Sequence, residues 1–374
     1  MASTSVTSPP LAHPVDPPFV AHSAPAQKSR IEAINIFRGL AILEVVMHHT
    51  TGMALRFVDP GGLAHFLLAV VNRILHFAVP GFLFMTAVVL TRSALKRFEP
   101  KSYYWGRVKK SLMPYLIWTV LYVLFRVWTE QDPRGVLQQP ERWQVWLQYG
   151  KGYFHLYFLL IALQFYLVLP LVLPLFRRKL NLPLLIAAAF GSQLVVYLLN
   201  REGVTNWRFP ATMAVWYIPA ITLGMYFGAH YSAFENLWRK WRLPLVASAA
   251  VGLAWYLPQA YAALVGSRVD NFSYNTAHWV YTTTFALVLF GFAHSFARAP
   301  QWFQRPLARL GSVSLQIYLV HPALLFFFER EGLHGEPFSV AVQVLVAFLA
   351  SLLVPFVFAR LLEGKKLSLW LFGR

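Results

Sequence analysis

Four ionisable residues fall within one apolar stretch: Arg38, Glu44, His48 and His49, in Phe37-Arg38-Gly39-Leu40-Ala41-Ile42-Leu43-Glu44-Val45-Val46-Met47-His48-His49. Inside a lipid-embedded helix each such side chain costs at least ~2.5–3.5 kcal/mol on insertion scales, so it normally faces a protein interior or a water-filled cavity. At about 100° per residue, Arg38 and His49 return to nearly one helix face, separated by about 16 Å along the axis. The arginine can hold an anionic phosphate group bidentately. The imidazole, which titrates near working pH, can act as general base on an acceptor hydroxyl. The plainer readings are an Arg38 that snorkels to the membrane edge and a His48 that packs, or that holds Glu44 from i to i+4. Glu44 itself suits a proton relay or a coupling site for transport.

Further candidates lie in later apolar runs. Arg107 and Lys110 share a helix face in Tyr103-Tyr104-Trp105-Gly106-Arg107-Val108-Lys109-Lys110, where they fit a nucleotide phosphate or serve simply as topological anchors. His155 opens a run in Tyr153-Phe154-His155-Leu156-Tyr157-Phe158, as a site residue or as part of an aromatic interfacial belt. His321 lies about half-way along another run, in Ser314-Leu315-Gln316-Ile317-Tyr318-Leu319-Val320-His321-Pro322. Pro322 frees a backbone carbonyl one turn back, and broken helices of this kind often border cavities. His321 is therefore expected in a supporting role. Walker A, HExxH, Gly-x-Ser-x-Gly and dinucleotide patterns are absent, which disfavours ATP-driven transport and zinc proteolysis. With no cysteine in the chain there is no thiolate nucleophile, and no metal site is expected.

The elements that must carry these residues are membrane helices. The chain is 57% hydrophobic and 16% aromatic but only 13% charged, against about 25% charged in a soluble domain. Ten segments suit helical spans of about 20 apolar residues, near 33–55, 75–95, 103–127, 154–176, 182–200, 211–230, 242–264, 275–297, 311–329 and 338–361. Residues 63–74 read as a short interfacial helix. The net charge of +18 clusters at span ends rather than in a nucleic-acid patch. Lys28 and Arg30, Arg92 to Lys110, Arg177 to Lys179, Arg239 to Arg242, Arg298 to Arg309 and Lys365 to Arg374 mark alternate connections. By the positive-inside rule these are cytoplasmic, as are both termini. The expected architecture is an all-α integral membrane bundle of about ten transmembrane helices over residues 31–362. It is flanked by a Pro-rich disordered tail (1–30) and a short basic tail (363–374).

In order and spacing these blocks resemble the acyltransferase-3 family, multi-spanning membrane enzymes that transfer acyl groups, often acetyl, to sugars and other hydroxylated acceptors. Arg38-Gly39-Leu40 with His49 is similar to the family's opening, and Arg107 to Tyr115, His155 to Pro170 and Ser314 to Pro322 are similar to later blocks. The resemblance implies an O-acyltransferase in the cytoplasmic membrane. Acetyl-CoA or another acyl-CoA would be its co-substrate, with no tightly bound cofactor, and its acceptor a glycan or a hydroxylated small molecule or lipid. It implies Arg38 and His49 at the active site and Arg107 near the donor's phosphates; the residues themselves add Glu44 to the catalytic pair and Lys110 to Arg107 at the donor. His48, Thr86, His155, Tyr318 and His321 would stand in support or on the acceptor side. The chain departs from the family pattern at Asn35, where an Asp is usual, at Met85-Thr86-Ala87, where Phe-Ser-Gly is usual, and at Lys110, where an Arg is usual. A hydroxyl and a cation survive these changes. With no further domain after residue 374, direct acylation of the acceptor is expected. The rival class is a proton-coupled transporter or exporter of a glycan or lipid, in which Glu44 and the histidines would relay protons. A membrane scaffold would leave the alignment of Arg38 with His49 unexplained.

Overall fold

The computed structural model describes residues 24–333 and 337–373, and every regular element among them is helical. The helices are α1 (Ala24–Ala54), α2 (Leu63–Ile74), α3 (Ala78–Lys96), α4 (Pro100–Arg107), α5 (Met113–Trp128), α6 (Pro140–Tyr149), α7 (Tyr157–Val172) and α8 (Leu182–Arg201). They continue as α9 (Ile218–Ala229), α10 (Tyr231–Leu264), α11 (Asn271–Phe296), α12 (Gln301–Ser312), α13 (Ser314–Glu331), α14 (Pro337–Leu362) and α15 (Lys366–Phe372). A π-helical turn, Val108–Leu112, joins α4 to α5.

Seven described helical stretches are long and apolar enough to cross a membrane, or eight if α12 and α13, bent by 73° at their junction, form one broken span. The expected segment 211–230 contains a shorter apolar helical stretch, Ala214–Ala229, and α2 runs with α3 as one apolar stretch, Leu63–Lys96. α1 is long enough but falls outside that count, because the residues that make it chemically interesting also make it polar. Large apolar side chains point outward all round, among them Leu171, Leu184, Leu243 and Val251. That much exposed apolar surface suits lipid rather than water. α1 begins at Ala24, inside the expected Pro-rich tail, and residues 1–23 of that tail lie outside the described residues. The expected basic C-terminal tail forms α15, which packs on α5 and accepts a hydrogen bond at the Leu371 carbonyl from Trp118 Nε1 at 2.8 Å.

α1 is the hub. It packs against α2, α3, α11, α12, α13 and α14 and contributes to the two largest buried clusters. In the first, Phe37 meets Phe84 and Phe290; in the second, Ile42 and Val46 join Tyr122, Ile317 and Leu319. Ordering α1 from several sides holds its polar residues at fixed depths. Gly39 and Gly311 explain how α12 comes so close: a Cβ on Gly39 would sit 2.1 Å from the Leu307 carbonyl oxygen, and one on Gly311 1.8 Å from that of Asn35. Small residues let helix backbones meet in this way. Gly311→Ala is expected to destabilise the fold by roughly the 1–3 kcal/mol that overpacking costs, seen as a lower thermal midpoint in detergent, because the obstructing atom is backbone. An unchanged midpoint would show that α12 can slide along α1 instead.

Candidate active site

A cavity of about 280 Å³ opens at the C-terminal end of α1 and the N-terminal ends of α3 and α7. Five histidines line it: His48 and His49 from α1, His76 before α3, His155 before α7 and His278 from α11. His321 of α13 stands behind His49, its Nε2 2.8 Å from His49 Nδ1, with the two rings parallel to within 4°.

The hydrogen bonds assign the protons of this pair. His321 Nδ1 lies 2.9 Å from the Ile317 carbonyl oxygen. A carbonyl only accepts, so this nitrogen carries the hydrogen and, in the neutral ring, Nε2 carries the lone pair. His49 Nδ1–H must then be the donor to His321 Nε2. That leaves the lone pair of His49 on Nε2, the state a general base requires. The local sequence prepares this arrangement. His321 sits one turn beyond Ile317 on α13 and just before Pro322, and α13 is fixed where Tyr122 Oη donates to the Leu319 carbonyl at 2.6 Å.

His48 is braced differently. Its Nδ1 donates to the Asn72 carbonyl at 2.9 Å, while Asn72 Nδ2 returns a bond to the His48 carbonyl at 2.7 Å. The alternative in which His48 holds Glu44 is therefore overturned. The α2 backbone takes the donor instead, and the buried Glu44 carboxylate has the Ala78 backbone amide, not His48, within its reach. Glu44 lines neither this cavity nor the basic one described below.

His155 and Tyr318 meet at the same cavity. Tyr318 Oη donates to the His155 carbonyl, and the His155 ring packs at 5.0 Å, centroid to centroid, against both Tyr122 and Tyr318. His76 and His278 escaped the sequence reading. His76 Nδ1 lies 2.8 Å from Tyr256 Oη, and its ring lies 5.4 Å from that of His48 and 5.2 Å from that of His278. An available signal was His278 itself, an ionisable residue inside the expected span 275–297, of the kind that singled out His49.

A second cavity, of about 520 Å³, lies at the other end of α3. Pro80 of α3 lines the first cavity and Leu90 of the same helix the second, so about 15 Å of helix separates them. The second cavity is basic: Arg97, Arg107, Lys109 and Lys110 line it, with Glu99 the one acidic residue among them. The π-helical turn carries Lys109 and Lys110, and π turns of this kind frequently mark functional sites. Gly373, just past α15, packs on the Lys110 backbone. The Arg107 guanidinium lies 5.4 Å from the centre of the Tyr166 ring, and Arg38 is within electrostatic reach of the same tyrosine. Arg38 itself lines neither cavity. Thr86, expected in a supporting role, sits part-way along α3 and lines neither cavity.

With seven or eight apolar helices of spanning length among the described residues, all of whose regular elements are helical, built around a polar central helix, this is a multi-pass membrane protein. A family profile described as an acyltransferase domain, that of the acyltransferase-3 family, matches residues 31–360, and the chain belongs to this family of membrane acyltransferases. No curated protein and no solved structure matched the chain.

Proposed function

We propose that this protein is an O-acyltransferase of the cytoplasmic membrane, with ten spans and both termini in the cytoplasm. It transfers an acyl group, with acetyl the first candidate, from cytoplasmic acyl-CoA to a hydroxyl of a glycan or another hydroxylated acceptor. The observation that carries the reading is the bonded chain Ile317 carbonyl, His321, His49, which leaves an Nε2 lone pair on His49 at the cavity. His49 Nε2 takes the proton of the acceptor hydroxyl as its oxygen attacks the thioester carbon. The tetrahedral intermediate then expels the CoA thiolate, which leaves as the thiol after taking the proton back from His49. Positive charge formed on His49 during the step is shared with His321 through their common hydrogen bond. His48 Nδ1–H donates to the Asn72 carbonyl, which also leaves its Nε2 free, so the choice of His49 rests on the second imidazole, His321, bonded to it.

The basic cavity supplies the donor end. Arg107, Lys109 and Lys110 suit the phosphates of coenzyme A, and the extended pantetheine arm would run along α3 and past Arg38 toward the histidines. Acetyl-CoA is expected to bind the detergent-purified protein, as measured by calorimetry. Arg107→Ala should weaken binding about 10–100-fold, the equivalent of one charge-assisted contact. Absence of binding to folded protein would argue against the donor assignment. The transporter reading predicts substrate flux in vesicles without acyl-CoA, coupled to a proton gradient, and family membership favours transfer over it.

A further inference from the structure

His155 is the least explained polar group at the histidine cavity. It is 2% exposed, lines the cavity, and both ring nitrogens are buried without a hydrogen-bond partner. A neutral imidazole carries one N–H and one lone pair, and buried polar groups are normally paired. The ring has little freedom to find protein partners by turning. Tyr122 and Tyr318 pack against it edge to face, Tyr318 Oη clamps its backbone carbonyl, and Tyr153 and Phe154 crowd it from its own segment. An imidazole held rigid and left unpaired at a cavity wall is preorganised for a ligand atom.

Its position relative to the proposed base says which atom. The His155 ring lies 6.1 Å from that of His321, which in turn bonds His49, while Phe154, the residue before His155, packs on the His49 ring at 4.9 Å. His49 and His155 therefore face one small volume, one as an acceptor of protons and the other with a spare donor. Of the tyrosines that line the cavity, Tyr318 Oη is committed to the His155 carbonyl and Tyr217 Oη to the Ala211 carbonyl, and Tyr157 is the competing donor that the test must separate from His155.

We infer that His155 forms an acyl-carbonyl subsite, donating its ring N–H to the thioester oxygen of the acyl donor. This rests on the acyltransferase reading given above. When the acceptor oxygen bonds to the carbonyl carbon, the carbon–oxygen π pair moves onto the oxygen facing His155, while His49 Nε2 holds the hydroxyl proton. When the pair returns, the carbon–sulfur bond breaks and the thiolate takes that proton from His49. His155 gains and loses no proton; it stabilises the charge that develops on the oxygen, a role for which one donor is worth about 10²–10³ in kcat.

The test is isotope-edited infrared spectroscopy of acetyl-CoA labelled with ¹³C at the carbonyl, bound to the detergent-purified full chain without acceptor. In the wild type the carbonyl stretch should fall below its value in an apolar solvent, as a polarising hydrogen bond requires. His155→Phe should return the band to the unbonded frequency with the ligand still bound, and should cut kcat about 10²–10³-fold with little change in KM for the donor. His155→Gln, which keeps an N–H donor, should recover part of both the shift and the rate. The bound band also certifies that each variant is folded. A band that stays shifted in His155→Phe, or that moves in Tyr157→Phe instead, overturns the subsite and leaves the acyltransferase reading standing. A wild-type protein that binds no acetyl-CoA or longer acyl-CoA overturns both.

Discussion

Replacing His49 by alanine is expected to lower acyl transfer about 10²–10⁴-fold, the range that a positioned general base contributes, while folded yield and acyl-CoA affinity stay as in the wild type. The expectation follows from where the side chain sits. His49 lies near the C-terminal end of α1, on the cavity wall, and among the described residues its side chain bonds to His321 alone. The apolar contacts that order α1 come from Ile36, Phe37, Ala41, Ile42, Val45 and Val46 instead. Truncation should therefore cost chemistry and little packing. Release of CoA thiol in the presence of a hydroxylated acceptor, followed by mass analysis of the acceptor, measures the transfer. His49→Gln guards against a cavity artefact, since it fills the space yet offers no basic nitrogen, and it should be as inactive as His49→Ala. Normal turnover in either variant would remove His49 from the role of base. The second histidine at the cavity, His48, would then take its place.

What was legible in the chain before folding, and what was not, follows from the range of the forces concerned. The helical character and membrane class depend on local apolar composition, and α3, α8, α11 and α14 fall close to the segments expected for them. The face shared by Arg38 and His49 depends only on helix period, and α1 carries both. Pro322 suggested a broken helix, but α13 runs from Ser314 to Glu331 with Pro322 inside it, the bend falls before Ser314, and His321 stands behind the cavity, bonded to His49. Partners set by packing between distant segments were beyond reach. For His48 a neighbour one turn back, Glu44, was the natural candidate, but Asn72 on α2 takes the bond. His76 and His278 join the cavity because α2 packs on α1 and on α10, and α11 packs on both α1 and α10. No local pattern encodes that packing, although the place of His278 inside an apolar run was visible in the sequence. The bend between α12 and α13 reflects the same limit: it lets α12 lie across α1 at Gly39 and Gly311, a fit of two surfaces rather than a property of either.

His321→Phe is expected to reduce kcat by between about 10² and 10⁴ although its ring touches neither donor nor acceptor in the proposed reaction. His321 is a positioning residue. Its Nδ1–H is fixed on the Ile317 carbonyl, so its Nε2 can only accept, and this forces the hydrogen of His49 onto Nδ1. With a phenyl ring in its place nothing selects that tautomer. The His49 hydrogen can move to Nε2, where it points at the cavity and blocks proton uptake, and a cation formed on His49 loses the neighbour that shares its charge. In a serine protease triad the comparable loss of tautomer control costs about 10⁴ in kcat. A merely structural histidine would give a different pattern, which makes the comparison of variants informative. His321→Gln is smaller than phenylalanine and packs less well, but its Oε1 can accept from His49 Nδ1–H. It should recover a large part of kcat while remaining no more stable to heat than His321→Phe. Donor KM should be unchanged in both, because the basic cavity lies at the far end of α3. If activity follows thermal stability across the two variants instead, His321 acts through packing alone. The proton assignment of His49 would then need another source.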